Sequence, residues 1–78
     1  MNEVDVLIND YEKSTNQYLR LSNKLKAGDV SVTLRYMDLA KQLREWPVKH
    51  QEVYAKMAPQ QTQRVASISA RAAPYLDK

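Results

Sequence analysis

The sequence predicts an all-α fold, a three-helix up-down bundle with two long helices, the second kinked at Pro47, and a shorter third. Three observations carry this. Apolar and aromatic residues recur three and four apart at Val32, Tyr36, Leu39, Leu43, Trp46, His50, Val53 and Met57, and that alternation is the seam of a helix packed against other helices. One glycine and three prolines in 78 residues leave few turns, which favours a few long helices. No stretch alternates β-branched and polar residues long enough to form a strand. The chain has room for one domain, residues 1–78, with a core that stabilises only marginally at this size.

The first helix is expected over about 3–27. Asn2 is a good N-cap, Asp5 stands three residues on where a carboxylate can answer the cap, and Gly28 stands where a left-handed C-cap residue belongs. Glu3, Asp5, Asp10 and Glu12 fill the first half, Lys13, Arg20, Lys24 and Lys26 the second, which complements the helix dipole. Its buried seam reads Val4, Leu7, Tyr11, Ser14, Tyr18, Leu21 and Leu25, flanked by Ile8.

The second helix is expected over about 30–57, capped by Asp29 or Ser31. Glu45 and Lys49, then Glu52 and Lys56, are Glu-to-Lys pairs four apart on its outer face, each worth about 0.3–0.5 kcal/mol. Pro47 removes an amide donor and crowds the carbonyl of Leu43. Because the 3-4 register runs through Pro47, a kink is favoured; the alternative is a break, with Pro47 opening a new helix capped by Glu45 or Trp46. The third helix is expected over about 59–73. Pro59 suits its first position, Val65, Ile68 and Ala72 point inward with Ala58 and Ala66 beside them, and Tyr75 and Leu76 form an apolar hook after Pro74.

Length arithmetic then suggests where a partner docks. At 1.5 Å per residue the first two helices span about 37 Å each and the third about 22 Å. The third helix therefore covers the half near Val4, Leu7, Val53 and Met57, and leaves the half near Gly28 as a bare hairpin. Leu19, Val30, Leu34 and Met37 lie off the seam in that half, where an apolar patch marks an interaction surface. Lys24, Lys26 and Arg35 supply a cationic rim that steers an acidic partner.

No catalytic constellation emerges. His50, the one histidine, sits at a seam position between Trp46 and Val53, as a packed core residue does. Glu45 and Glu52 are close in sequence but lie on the outer face, so no metal site assembles. There is no nucleophile elbow and no glycine-rich phosphate loop. The expectation is a non-enzyme without cofactor or metal. Tyr11, Tyr18, Tyr36, Trp46 and Tyr54 fall at helical spacing in the apolar stripe and are read as core, with hydroxyls that need partners at its rim.

The formal charge is +3 and cysteine is absent, which rules out disulfides and thiolate metal sites. Arg64, Arg71, Lys41 and Arg44, with Lys78, are the candidate phosphate contacts, though no cluster is dense and no short helix-turn-helix is present. No segment approaches the apolar length of a membrane span, and no helix segregates a basic face from a strongly apolar one. Met1-Asn2-Glu3-Val4-Asp5 lacks the pattern of a secretory signal, so either none is made or Met1 replaces a removed leader.

The segments Tyr11-Glu12-Lys13 and Leu25-Lys26-Ala27-Gly28-Asp29-Val30-Ser31, the residues Tyr36 and Leu39 or Leu43, and Ala58-Pro59-Gln60-Gln61 followed by Arg64 and Ile68 resemble a small uncharacterised helical domain of bacterial envelope lipoproteins. Ala58 replaces that family's Thr cap, Pro47 interrupts its second helix, and no lipidation cysteine is present. The resemblance implies a helical domain in the cell envelope and carries over no catalytic residue; without it, the cytoplasm is expected. The function expected is an interaction domain that self-associates, as a homodimer, or holds a protein partner through the hairpin tip. The alternatives are a nucleic-acid binder and an inhibitor or immunity-type protein.

Overall fold

A computed structural model describes residues 2–76. The protein is all-α: α1 covers Glu3–Lys26, a 3-10 turn covers Val30–Val32, α2 covers Thr33–Lys49, a short α3 covers Gln51–Tyr54 and α4 covers Pro59–Leu76. No strand occurs among the described residues. α1 packs against both α2 and α4, which touch each other little. Partner numbers fall along α2, with Tyr11 on Trp46 and Tyr18 on Tyr36, so α2 runs against α1. They rise along α4, from Asp5 with Gln61 to Tyr18 with Tyr75, so α4 runs with α1.

The ends of α1 follow from their capping chemistry. The Asn2 side chain accepts from the Asp5 amide at 2.8 Å, one of the donors an α-helix leaves free at its start. Asp5 does not answer the cap; its Oδ1 turns to α4 and accepts from Gln61 Nε2 at 2.9 Å. At the other end Gly28 has φ +96°, the Asp29 amide donates to the Lys24 carbonyl at 2.9 Å and the Gly28 amide to Leu25 at 3.0 Å. These are the paired bonds of a Schellman ending. Asp29 then accepts from the Ser31 amide at 3.1 Å and from its hydroxyl, which holds the carboxyl below its ordinary value.

The expected single helix over 30–57 is three pieces. Asp29 caps the 3-10 turn, and Thr33 Oγ1 donates to the Val30 carbonyl at 2.7 Å as α2 begins. The helix continues through Pro47, which lies inside it, and gives out at His50, whose φ −115° and ψ 30° are not helical. Beyond His50 the amides of Val53, Lys56 and Met57 reach back three residues, to His50, Val53 and Tyr54. Pro47 removes one rung of the ladder and crowds the Leu43 carbonyl, and tighter i to i−3 turns follow. Glu45 with Lys49 and Glu52 with Lys56 lie on either side of that interruption, and neither pair closes to an ion pair among the described residues.

α4 begins at Pro59 as expected. Gln61 accepts from the Ala58 amide through Oε1 at 2.8 Å while its Nε2 bonds Asp5, so one side chain both caps α4 and ties it to α1. The expected end near residue 73 is a correction: the helix runs through Pro74 to Leu76. Pro74 is exposed, so the rung it deletes faces water, and Arg44 Nη2 donates to the Leu76 carbonyl at 3.3 Å. α4 is therefore as long as α2, about 27 Å at 1.5 Å per residue. Tyr75 is no terminal hook; it sits edge-on to Tyr18 at 6.4 Å with Lys26 Nζ 4.8 Å from its ring centroid. Cover from α4 thus reaches Tyr18 and Lys26, further toward Gly28 than an end near residue 73 implies, while Asn23, Lys24 and Ala27 at the tip stay exposed.

The core joins Ile8, Tyr11, Tyr18 and Leu21 of α1 to Leu39, Ala40 and Leu43 of α2 and Val65, Ile68 and Ala72 of α4. Because α1 faces two helices, its buried stripe is wider than the expected seam and takes in Thr15 and Ser22. Two aromatic stacks pin α1 to α2: Tyr11 on Trp46 at 4.2 Å and Tyr18 on Tyr36 at 4.8 Å between centroids. The Tyr11 hydroxyl meets Ser69 Oγ at 2.7 Å and the Tyr18 hydroxyl meets that of Tyr36 at 2.9 Å. Burial first, then the Tyr36 hydroxyl, holds the Tyr18 phenol above its ordinary pKa; burial does the same for Tyr54. Ala58 and Ala66, expected beside the inward face of α4, are exposed.

Candidate interaction surface

The residues expected to bind a partner do not share one environment. Leu19 is half-buried and packs against the core, four residues along α1 from the fully buried Thr15. Lys26 is spent on the Tyr75 ring. Arg35 is exposed but lies against α1, where the Gln17 amide oxygen, turned toward it, accepts from its Nε at 3.0 Å. Lys24 is exposed at the end of α1. Val30, Leu34 and Met37 remain open, 76%, 82% and 58% exposed. What survives of the expected patch is its α2 side.

That side continues further than the tip. Val48, near the other end of α2, is 69% exposed, and Lys41 and Arg44 between them are exposed too. The series Val30, Leu34, Met37, Lys41, Arg44, Val48 steps four, three, four, three, four. It is the inner seam of Val32, Tyr36, Leu39, Leu43, Trp46 and His50 displaced by two residues. Two residues are about 200° around an α-helix, so the two series occupy opposite faces. α2 carries one apolar seam turned into the protein and a second turned to solvent. Counting the same spacing from Val30 would have found it; Lys41 and Arg44 interrupt its apolar character and hid it. A shallow groove of about 580 Å³ runs alongside, lined by Tyr36, Met37, Asp38, Ala40, Lys41 and Arg44.

The candidate phosphate contacts are mostly occupied inside the protein. Arg64 donates to Asn9 at 2.6 Å and to Glu12 at 3.0 Å, and Arg71 donates to Asn16 at 3.1 Å and to Glu12 at 3.4 Å. These bonds form a polar clasp along the α1–α4 edge, with Glu12 gripped by both guanidiniums. Arg44 reaches the end of α4, Lys41 is exposed on the outer face of α2 with no ion pair among the described residues, and Lys78 lies outside the described residues. His50 is half-buried at the interruption after α2, its ring tilted against Trp46 at 5.1 Å. No helix among the described residues is long and apolar enough to cross a membrane.

No protein family, no curated protein and no solved structure matches the chain.

Proposed function

We propose that this chain is a non-enzymatic interaction domain, a single up-down-up bundle of α1, α2 and α4 that holds a protein through the outer face of α2. One observation carries the reading: Leu34, Met37 and Val48 fall on one face of α2 at packing spacing, Val30 of the preceding 3-10 turn continues the series, and each is more than half exposed. Scattered exposed apolar side chains are ordinary on a small protein, whereas an aligned set marks a docking face. Exposed Lys41 gives that face a basic middle, Arg44 stands at its α4 edge, where its guanidinium holds the Leu76 carbonyl, and Asp38 and Glu45 flank the other edge. The nucleic-acid reading has less support, because Arg64 and Arg71 direct their donors at Glu12, Asn9 and Asn16. The likeness to the envelope-lipoprotein domain points to the cell envelope, and fractionation of the cells that make the protein tests that location.

A photo-crosslinking residue at position 34, with the same residue at exposed Ala66 as control, tests the docking face in those cells. Adducts at position 34 that are absent at position 66 support the reading. Equal or absent labelling at the two sites overturns it.

A further inference from the structure

We infer that the outer face of α2 pairs with the same face of a second copy, the two helices running antiparallel about a two-fold axis level with Leu39. The inference rests on the docking-face reading above and names its occupant. Alternating steps of three and four are the spacing at which two helices interlock side chains. A two-fold axis is the commonest symmetry of soluble homo-oligomers, and it requires a face that complements itself.

The register follows from the series. With the axis at the height of residue 39, Val30 of one copy lies level with Val48 of the other, Leu34 with Arg44, and Met37 with Lys41. Apolar contacts then close both ends of the pair. In the middle, Leu34 and Met37 meet the aliphatic stems of Arg44 and Lys41, which cover apolar surface; the Lys41 head stays wet and the Arg44 head keeps its bond to the Leu76 carbonyl of its own copy.

Charge favours this direction over the parallel one. Asp38, Lys41, Arg44 and Glu45 are two of each sign, so these four side chains add no net charge to the face. A parallel pair would set Lys41 on Lys41 and Arg44 on Arg44. The antiparallel pair instead sets Asp38 within a residue of the height of Lys41 on the other copy, twice by symmetry. One helix face is small beside the ~800 Å² per partner of a standard interface, so the dimer is weak, half-formed at about 0.1–1 mM.

Cysteine trapping tests the pairing, and the chain has no cysteine of its own. Val30→Cys and Val48→Cys change exposed side chains, so both variants keep the fold, as circular dichroism can verify. Oxidised together at high concentration, they are expected to give the mixed disulfide in excess of the share that random pairing gives. A preponderance of Val30→Cys homodimers overturns the antiparallel register. No crosslink beyond that of urea-denatured chains, with a monomer at 1 mM by sedimentation equilibrium (about the upper end of the expected range), overturns self-pairing altogether. Asp38→Lys is expected to weaken the dimer about three- to tenfold, and adding Lys41→Asp to restore it; no loss, or no recovery, counts against the pairing. The in-cell adduct at position 34 separates the two claims. An adduct to an unlike protein with no chain-to-chain adduct overturns the second copy and keeps the docking face, and no specific adduct at all overturns both.

Discussion

Replacing Thr15 by Val should stabilise the protein by about 1–2 kcal/mol, and the reason is visible in the middle of α1. Thr15 has no exposed surface, and its Oγ1 finds no hydrogen-bond partner among the described residues. A hydroxyl buried without a partner costs about 1–3 kcal/mol on the scale of protein mutations. Val keeps the branched shape at Cβ, and its helix propensity is close to that of Thr, so the exchange removes the unpaired hydroxyl and little else. Thr15→Ser is the control, because it keeps the hydroxyl and deletes the methyl, and should cost about 1 kcal/mol. A chain of this size is expected to hold about 4–12 kcal/mol in all, so both shifts are measurable. Thermal unfolding followed at 222 nm should show Thr15→Val higher by about 5–10 °C and Thr15→Ser lower by about 4–8 °C. A lower midpoint for Thr15→Val would refute the reasoning and mean that the hydroxyl is bonded, for instance to a carbonyl of its own helix.

Gly28→Ala should cost about 1–2 kcal/mol, because φ is +96° and nothing stands within 4 Å of the added Cβ; urea unfolding measures it, and Gly28→Asn should cost less. Glu12→Gln loses the double grip of Arg64 and Arg71, but the group is two-fifths exposed, so about 0.3–1 kcal/mol is expected at low salt and less at high salt. The phenols of Tyr18 and Tyr54 have raised pKa values in the folded protein, while the unfolded chain ionises near about pH 10. Their stabilising contribution is whole below that pH and is lost as pH rises toward the raised values, so denaturant midpoints should fall from about pH 10 upward, and less steeply in Tyr18→Phe. Leu39→Ala should cost about 2–4 kcal/mol and Leu34→Ala less than about 0.5 kcal/mol in dilute solution, since the first side chain is buried and the second 82% exposed; paired thermal melts distinguish them.

The helical class was legible because α1 and α4 begin on readable chemistry, at Asn2 and Pro59, and α1 ends on Gly28. The interruption at His50 was not, for a reason in the geometry. A step of three residues, such as His50 to Val53, returns to the same face in an α-helix and in a 3-10 turn alike, so periodicity cannot separate one long helix from two helical pieces, α2 and α3, joined by a tight turn at His50. The end of α4 was misplaced because a proline stops a helix only where its missing rung cannot be spared, and Pro74 lies on the wet face. That error carried into the candidate site. A helix ending near residue 73 leaves Tyr18 and Lys26 without Tyr75, whereas one reaching Leu76 brings Tyr75 to both. Leu34 and Met37 kept their exposure because they sit on the side of α2 away from α1, and Val30 kept its own in the 3-10 turn before α2.

That asymmetry explains why α2 is the element to watch. Its inner face gives Leu39 and Leu43 to the core and stacks Tyr36 and Trp46 on α1, so folding alone accounts for one set of apolar residues at this spacing. The outer set at Val30, Leu34, Met37 and Val48 stays more than half exposed and outside the core. Four large apolar side chains left in water gain no burial in the isolated chain and raise the risk of unspecific association. Their alignment at the same spacing as the inner seam is therefore better explained by something that packs against it. A partner that did so would bury four of the five large apolar side chains that the fold leaves exposed among the described residues, all but Val6 of α1.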